Sequence, residues 1–357
     1  MIDMRRLLFV CIAAMAPLLA GCSGFGYYLQ SIDGQMKLLQ ARRLIAQVIA
    51  DPATPLPLKA RLERVLAIRD FASRELKLPD NLSYRSYADL QRPFVVWNVF
   101  AAAEFAVEPR EWCFLIVGCV GYRGYFSQAE GEAYARELRG EGFDVFVSGV
   151  PAYSTLGWFD DPVLNTFINY PEHALSRLIF HELAHQLVYV KGDTVFNESF
   201  ATAIETEGVR RWLARNGNDQ MRAEFARSQQ RRTQFRALVF KYRERLAVLY
   251  RLPMAPEEMR VRKAQAFSDM QRDYGLLKPQ WGEFAGYDRF FDHPNNAHLA
   301  SVAIYTGLVP QFQQLIAKHS GDLAAFYAEV KALAALGKAE RASRLRATVA
   351  PAREEPL

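Results

Sequence analysis

Apolar residues recur at three- and four-residue spacing from Leu29 to Leu78, which is the period of an amphipathic helix. "MKLLQARRLIAQVIAD" carries the clearest run, "PATPLP" breaks it, and "LKARLERVLAIRDFASREL" predicts a second helix. The pattern then changes. "RPFVVWNVFAAAEF" and "WCFLIVGCVGYRGYF" are dense in aromatic and β-branched residues and predict strands over 94–105 and 112–126. "QAEGEAYARELRGEG" predicts a short helix ending at Gly140 or Gly142, and "FDVFVSGV" one more strand. Beyond about Pro171 only helical spacing remains. The expectation is a mostly helical α+β protein. An N-terminal helical segment (22–92) precedes one large unit (93–357), made of a sheet layer (93–160), a helix pair (171–215) and a helical remainder (216–357).

The first residues bear on the compartment. "MRRLLFVCIAAMAPLLAGC" has two arginines, an apolar run and small residues ahead of a cysteine, so residues 1–21 read as a signal peptide. Leu19, Ala20, Gly21 and Cys22 resemble the lipobox of bacterial lipoproteins, in which the cysteine is diacylated and becomes the N-terminus. Ser23 then implies the outer membrane, facing the periplasm. No later apolar run approaches the 18 or more residues of a spanning helix, which leaves the acyl chains as the expected membrane attachment.

Half the residues are hydrophobic, enough for a sizeable core. The charge balance, 44 Lys and Arg against 39 Asp and Glu, is mild. Residues 209–251 are locally basic, with 12 Lys or Arg and 3 Asp or Glu. For an exported protein that segment reads as a solvated helix face, with anionic lipid headgroups a secondary partner and no nucleic acid expected. Cys113 and Cys119 are the cysteines left for pairing, and an oxidising compartment favours a bridge. One continuous strand would hold them about 20 Å apart, so a bridge requires a turn in "CFLIVGC"; two buried thiols are the alternative.

The strongest chemical signal is "LIFHELAHQLVYV", residues 178–190. On a helix His181 and His185 fall about 40° apart on one face and about 6 Å apart along the axis, so both imidazoles can meet one ion. Zn2+ suits neutral imidazole nitrogen and carboxylate oxygen, and a catalytic site keeps one position open. Glu182, turned about 100° from His181, flanks that position, where a general base must sit. The third ligand expected is Glu198 in "GDTVFNESFATAIETE". With Gly192 as helix stop and Asp193 or Thr194 as the next start, a helix hairpin puts His185 and Glu198 at matching depths, about 9–10 Å from the turn. Glu205, two turns beyond Glu198, is placed to accept from the other ring nitrogen of His181; a solvated carboxylate is the alternative.

"HELAHQ" followed by "NESFA" resembles the gluzincins, and within them the zinc aminopeptidases that pair HExxH with NEGFA. Those families use a longer spacing between the second His and the Glu; the 12 residues here imply a shorter turn. The lipobox, "WCFLIVGCVGYRGYF", "AYSTLGWFDDPVL" and "NNAHLASVAIYTGLVPQF" widen the likeness to the zinc aminopeptidase lipoproteins of Gram-negative bacteria, over nearly the whole chain beyond the signal. The resemblance implies a zincin-type active helix under the sheet layer and hydrolysis of a peptide substrate. Glu182 would take the proton of an attacking water and hand it to the leaving amine. It also implies an oxyanion donor on a later helix, for which Tyr305 is the choice, a core tyrosine being the other reading. Thr155 and Gly157 in "YSTLGWF" would contact substrate at an edge strand, unless the segment is a plain loop. Asn295 and Asn296 read as helix caps or substrate contacts, with Asn296 the contact expected. Asp160, Asp161 and Glu104 are unranked candidates for a substrate ammonium. Two other classes stay open: a zinc hydrolase of a non-peptide or cell-wall amide, and a lipoprotein whose zinc only pins helices. Protein partners are not indicated.

Overall fold

The computed structural model describes residues 22–114, 118–152, 154–303 and 307–347. Residues 1–21 and Tyr305 lie outside the described residues, and of Cys22 only its place at the start of a helix is described. The architecture is mostly helical with small sheets.

The N-terminal part is helical, with one interruption that the periodicity hides. Helices α1 (Cys22–Ala41), α2 (Ile45–Ala50) and α3 (Leu56–Arg74) are separated first by a short strand, β1 (Arg43–Leu44). "MKLLQARRLIAQVIAD" is therefore not one helix. At Arg43 and Leu44 the backbone leaves the helical path to pair antiparallel with β2 (Ser86–Ala88), which in turn pairs parallel with β8 (Val163–Leu164). Pro55 precedes α3, as the "PATPLP" break implies.

The main sheet has the order β6-β3-β7, with β3 at Val96–Ala102, β6 at Arg123–Tyr125 and β7 at Asp144–Val150, all antiparallel. Every residue of β3 is buried, as befits a central strand covered on both faces. Helix α4 (Gln128–Gly140) covers one face, its N-terminus capped by Ser127 and its end followed by Gly142 at φ +88°. The strand expected over 112–126 is instead three pieces. Trp112–Phe114 (β4) folds back on Gly118–Val120 (β5), and β6 follows separately. Cys113 lies opposite Cys119 in that hairpin and the two are disulfide-bonded. Antiparallel pairing of the two pieces, not one continuous strand, is what brings the cysteines within bonding reach.

From Glu172 onward the chain is helical: α5 (Glu172–Leu187), α6 (Thr194–Asn216), α7 (Asp219–Leu249), α8 (Pro256–Leu277), α9 (Asp288–Phe291), α10 (Asn296–Ala303), α11 (Val309–Lys318), α12 (Leu323–Ala334) and α13 (Lys338–Ala347). Helices α5 and α6 lie antiparallel: Trp212 near the end of α6 donates to Glu172 at the start of α5, at 2.8 Å. Gly208 permits their close approach, because a Cβ there would stand 2.7 Å from Phe180 and from Leu76. The core around this pair draws in Leu62, Val65 and Ile68 of α3 and Phe312 and Phe326 of α11 and α12. A second apolar cluster, with Val239, Tyr242, Met270 and Leu299, ties α7, α8 and α10 together.

Candidate metal centre

The pair α5–α6 is the frame of the site, and its connection decides where the ligands fall. Helix α5 stops at Leu187, five residues short of Gly192, with Val188 extended at φ −143° and ψ 123°. Two causes act together. Val188 and Val190 are β-branched and favour extended backbone. The side chain of Asn197 clasps Val190, accepting from its N–H at 2.8 Å and donating to its carbonyl at 2.8 Å, in place of the bonds a longer helix would supply. Gly192, at φ +76°, serves the turn and not the helix end. Asp193 then caps α6 by accepting from Phe196 N–H, and is itself held by the buried Arg341 of α13, whose guanidinium donates at 3.1 and 2.7 Å. Neither the clasp by Asn197 nor the hold by Arg341 follows from helical spacing. The position of Asn197 directly before Glu198 is its one cue in the sequence.

Across this hairpin His181, His185 and Glu198 converge, with one ligand atom of each lying within 4.8 Å of the others. The two Nε2 atoms are 3.1 Å apart; Glu198 Oε2 is 3.3 Å from His181 Nε2 and Oε1 is 3.6 Å from His185 Nε2. Ligand atoms about 2.0–2.1 Å from a tetrahedral Zn2+ stand roughly 3.3 Å from one another, so the observed spacings fit such an ion. The group could hold a metal; the donor set of two imidazoles and a carboxylate is compatible with zinc without identifying it.

The surroundings favour a cation at that point. His181 Nδ1 is 2.9 Å from Glu205 Oε2, and the tautomer that donates there leaves Nε2 free to ligate. Glu205 in turn accepts from Arg232 Nη1 at 2.8 Å and lies 3.8 Å from Arg177 Nη1. Burial opposes ionisation of Glu205, yet Arg232 and Arg177, with His181, hold its pKa well below the usual carboxylate range. Burial likewise opposes a charge on His181, but the bonds to Glu198 and Glu205 outweigh it and raise its pKa well above the ordinary value. His185 lacks that help: burial takes it down to about 4, and its Nδ1 is buried without a partner among the described residues. Burial also lifts Glu182, to about 7, against the pull of His181. Two carboxylates committed to two imidazoles in a buried place form a receptor for positive charge.

These residues open onto a cavity of about 620 Å³, on whose wall His181, Glu182, Glu198 and Glu205 all lie. No hydrogen bond or ion pair engages the Glu182 carboxylate among the described residues. Ser148, Gly149 and Val150 of β7, an edge strand of the main sheet, also line it, with Phe94, Phe146 and Phe290 supplying apolar cover.

Several residues singled out from the sequence lie elsewhere. The edge strand beside the site is β7, not "YSTLGWF", whose described residues form turns ahead of β8. There the amide and hydroxyl of Thr155 both donate to Asp161 at 2.9 Å, and Gly157 adopts φ +83°. Neither Thr155 nor Gly157 lines the cavity. Asp161 is buried under that loop, and burial raises its pKa to about 6. Asp160 offers its carbonyl to Arg42, and Glu104 is gripped by Arg260 at 2.6 and 3.1 Å beside a different cavity. Asn296 is fully buried and fully used: it accepts from Tyr250 and donates to the carbonyls of Ala103 and Glu104. The side chain of Asn295 accepts from Ala297 N–H, the cap of α10. The basic segment 209–251 is not all a solvated face either, since Arg232 and Arg236 of α7 line the cavity.

A family model described as "Putative aminopeptidase" matches residues 26–345 of the chain. No curated protein and no solved structure matches it.

Proposed function

This chain belongs to the putative aminopeptidase family, and from that premise we propose that it is a zinc-dependent peptidase carried on the cell envelope by a lipid anchor. The observation that carries the reading is one cavity in which His181, Glu198 and an unpartnered Glu182 meet. His181, His185 and Glu198 would hold the ion. When bound, zinc supplies Lewis acidity, which lowers the pKa of water toward neutrality and polarises a carbonyl oxygen. The remaining work falls to the chain. Glu205, backed by Arg232, keeps the proton of His181 on Nδ1 and so presents Nε2 to the ion. Glu182 takes a proton from the attacking water and returns it to the leaving nitrogen. The β7 edge offers backbone groups to an extended peptide, and the phenylalanines around it thin the water. A purely structural ion would leave both the cavity and the unpartnered Glu182 without a purpose.

Treatment with a strong chelator is expected to abolish hydrolysis, and stoichiometric zinc to restore it. The assay is a panel of aminoacyl-coumarins beside internally quenched peptides; cleavage confined to free amino termini marks an exopeptidase. A zinc-loaded protein inert on the entire panel would overturn the peptidase reading.

For the anchor, support comes from the lipobox and from α1, which begins at Cys22 and exposes Tyr28, Leu29, Ile32 and Met36. Such a helix can rest against a lipid surface beside its own acyl chains. No helix among the described residues is long and apolar enough to cross a membrane. Cys22→Ser is expected to release the protein from the membrane fraction or leave its precursor uncleaved. Unchanged partition, with mass spectrometry finding an unmodified Cys22 in the wild type, would sink the claim.

A further inference from the structure

An aminopeptidase must recognise a substrate ammonium, and the usual receptor is a carboxylate. The acidic residues on the cavity wall are Glu182, Glu198 and Glu205. Glu198 and Glu205 are committed to the imidazoles, and Glu182 to proton transfer under the reading above. Asp161 and Glu104 lie outside the cavity, bonded to Thr155 and Arg260. The cavity has a surplus of the opposite sign. Arg177, Arg232, Arg236 and Arg289 all line it, and among the described residues only the first two have a carboxylate partner, the shared Glu205. No hydrogen bond or ion pair engages Arg236 or Arg289 among the described residues.

Their placement is specific. Arg236 follows Arg232 by one turn of α7, so it continues the same helix face along the cavity, about 6 Å farther along the helix axis. It is half-buried, and burial first, then the Arg232 guanidinium, depresses its pKa against the opposing pull of Glu205. Arg289 enters from α9, exposed at the border with a neighbouring cavity. Phe235 and Phe290, each next in sequence to one of these arginines, line the same wall and lower the local dielectric. Guanidinium groups bind carboxylates through paired N–H donors, and such bonds strengthen where water is thin.

We propose that Arg236 and Arg289 form a subsite for a substrate carboxylate, so that the substrates cleaved are peptides with an acidic side chain or a free C-terminus within reach of the metal centre. The inference rests on the peptidase reading for the identity of the substrate but not for the existence of the subsite. A carboxylate seated there relieves two unneutralised arginines and fixes the peptide's register relative to His181 and Glu182.

The test uses zinc-loaded protein and two sets of tripeptides. In one set the tripeptide amides differ only as Glu or Gln at a single position, taken in turn; in the other the Gln peptides are compared as free acids and as amides. The first reads an acidic side chain and the second a chain terminus. At least one pair is expected to favour the anionic member in kcat/KM by roughly 10- to 100-fold, the range of one charge-assisted bond. That ratio should fall toward one in Arg236→Gln and Arg289→Gln. The same pairs are titrated calorimetrically, so that a protein that binds but does not cleave still reports the ratio as Kd. Cleavage without preference in any pair would overturn the subsite and leave the peptidase reading standing. Anion preference in Kd without cleavage would do the reverse. A preference that survives intact in both arginine variants would show that other residues carry it, and the assignment would fall.

Discussion

Replacing Glu198 by alanine is expected to remove metal, activity and part of the thermal stability together. Glu198 faces both imidazoles, at 3.3 and 3.6 Å, from a different helix, so of the three it is the one that would tie α6 to α5 through a bound ion. Loss of an outer hydrogen-bond partner of a metal ligand costs about 10- to 100-fold in affinity, and loss of a ligand itself should exceed that. The stability follows by linkage: an ion present at 100 times its Kd stabilises the folded chain by about 2.7 kcal/mol, which the variant forfeits at the same zinc concentration. Metal analysis and melts with and without chelator check this. The gap between wild type and variant should be wide in zinc and narrow in chelator. A Glu198→Ala protein that still bound one zinc per chain with wild-type affinity would remove Glu198 from the ligand set.

How far this site could be read from the sequence depends on which residues act through helical spacing. His181, His185, Glu198 and Glu205 lie on two adjacent helices, where a count of residues converts directly into position, and their meeting follows from the count once the helices are taken as antiparallel. The end of α5 did not follow, because a side chain from the next helix, Asn197, takes over the backbone groups of Val190, and no local pattern records that. The two-residue strands β1 and β8 escaped for a related reason. A pairing that short leaves no alternation to detect, and Arg43 and Leu44 sit inside an otherwise continuous helical period. The apolar density of 112–126 was legible as strand, but its division was not, since composition does not record that β4 pairs antiparallel with β5 across the Cys113–Cys119 bridge. Arg232 and Arg236 were visible only as members of a basic run; which of its arginines face inward depends on how α7 packs against the hairpin. Likeness alone makes "YSTLGWF" the edge of a sheet, whereas the edge beside the cavity is β7, whose sequence "FDVFVSGV" itself predicts a strand.

Glu182→Gln separates chemistry from metal binding, and its expected effect is the largest. The substitution keeps the volume and outline of the side chain but removes its capacity to accept a proton. Glu182 stands beside the ligands on the cavity wall without being one of the converging three, so zinc is expected to remain near one per chain. Folding should be unharmed as well, because the carboxylate has no hydrogen bond or ion pair to lose among the described residues, and an uncharged amide costs less to bury than a carboxylate. Turnover, in contrast, should fall by about 100- to 10,000-fold, the range for a positioned general base. The paired readout is what discriminates. Glu198→Ala should lose rate in proportion to lost metal, while Glu182→Gln should lose rate with its metal and its melting temperature intact. Wild-type turnover in Glu182→Gln would mean that the proton leaves the water by another route, and the cavity's one unpartnered carboxylate would need a different role.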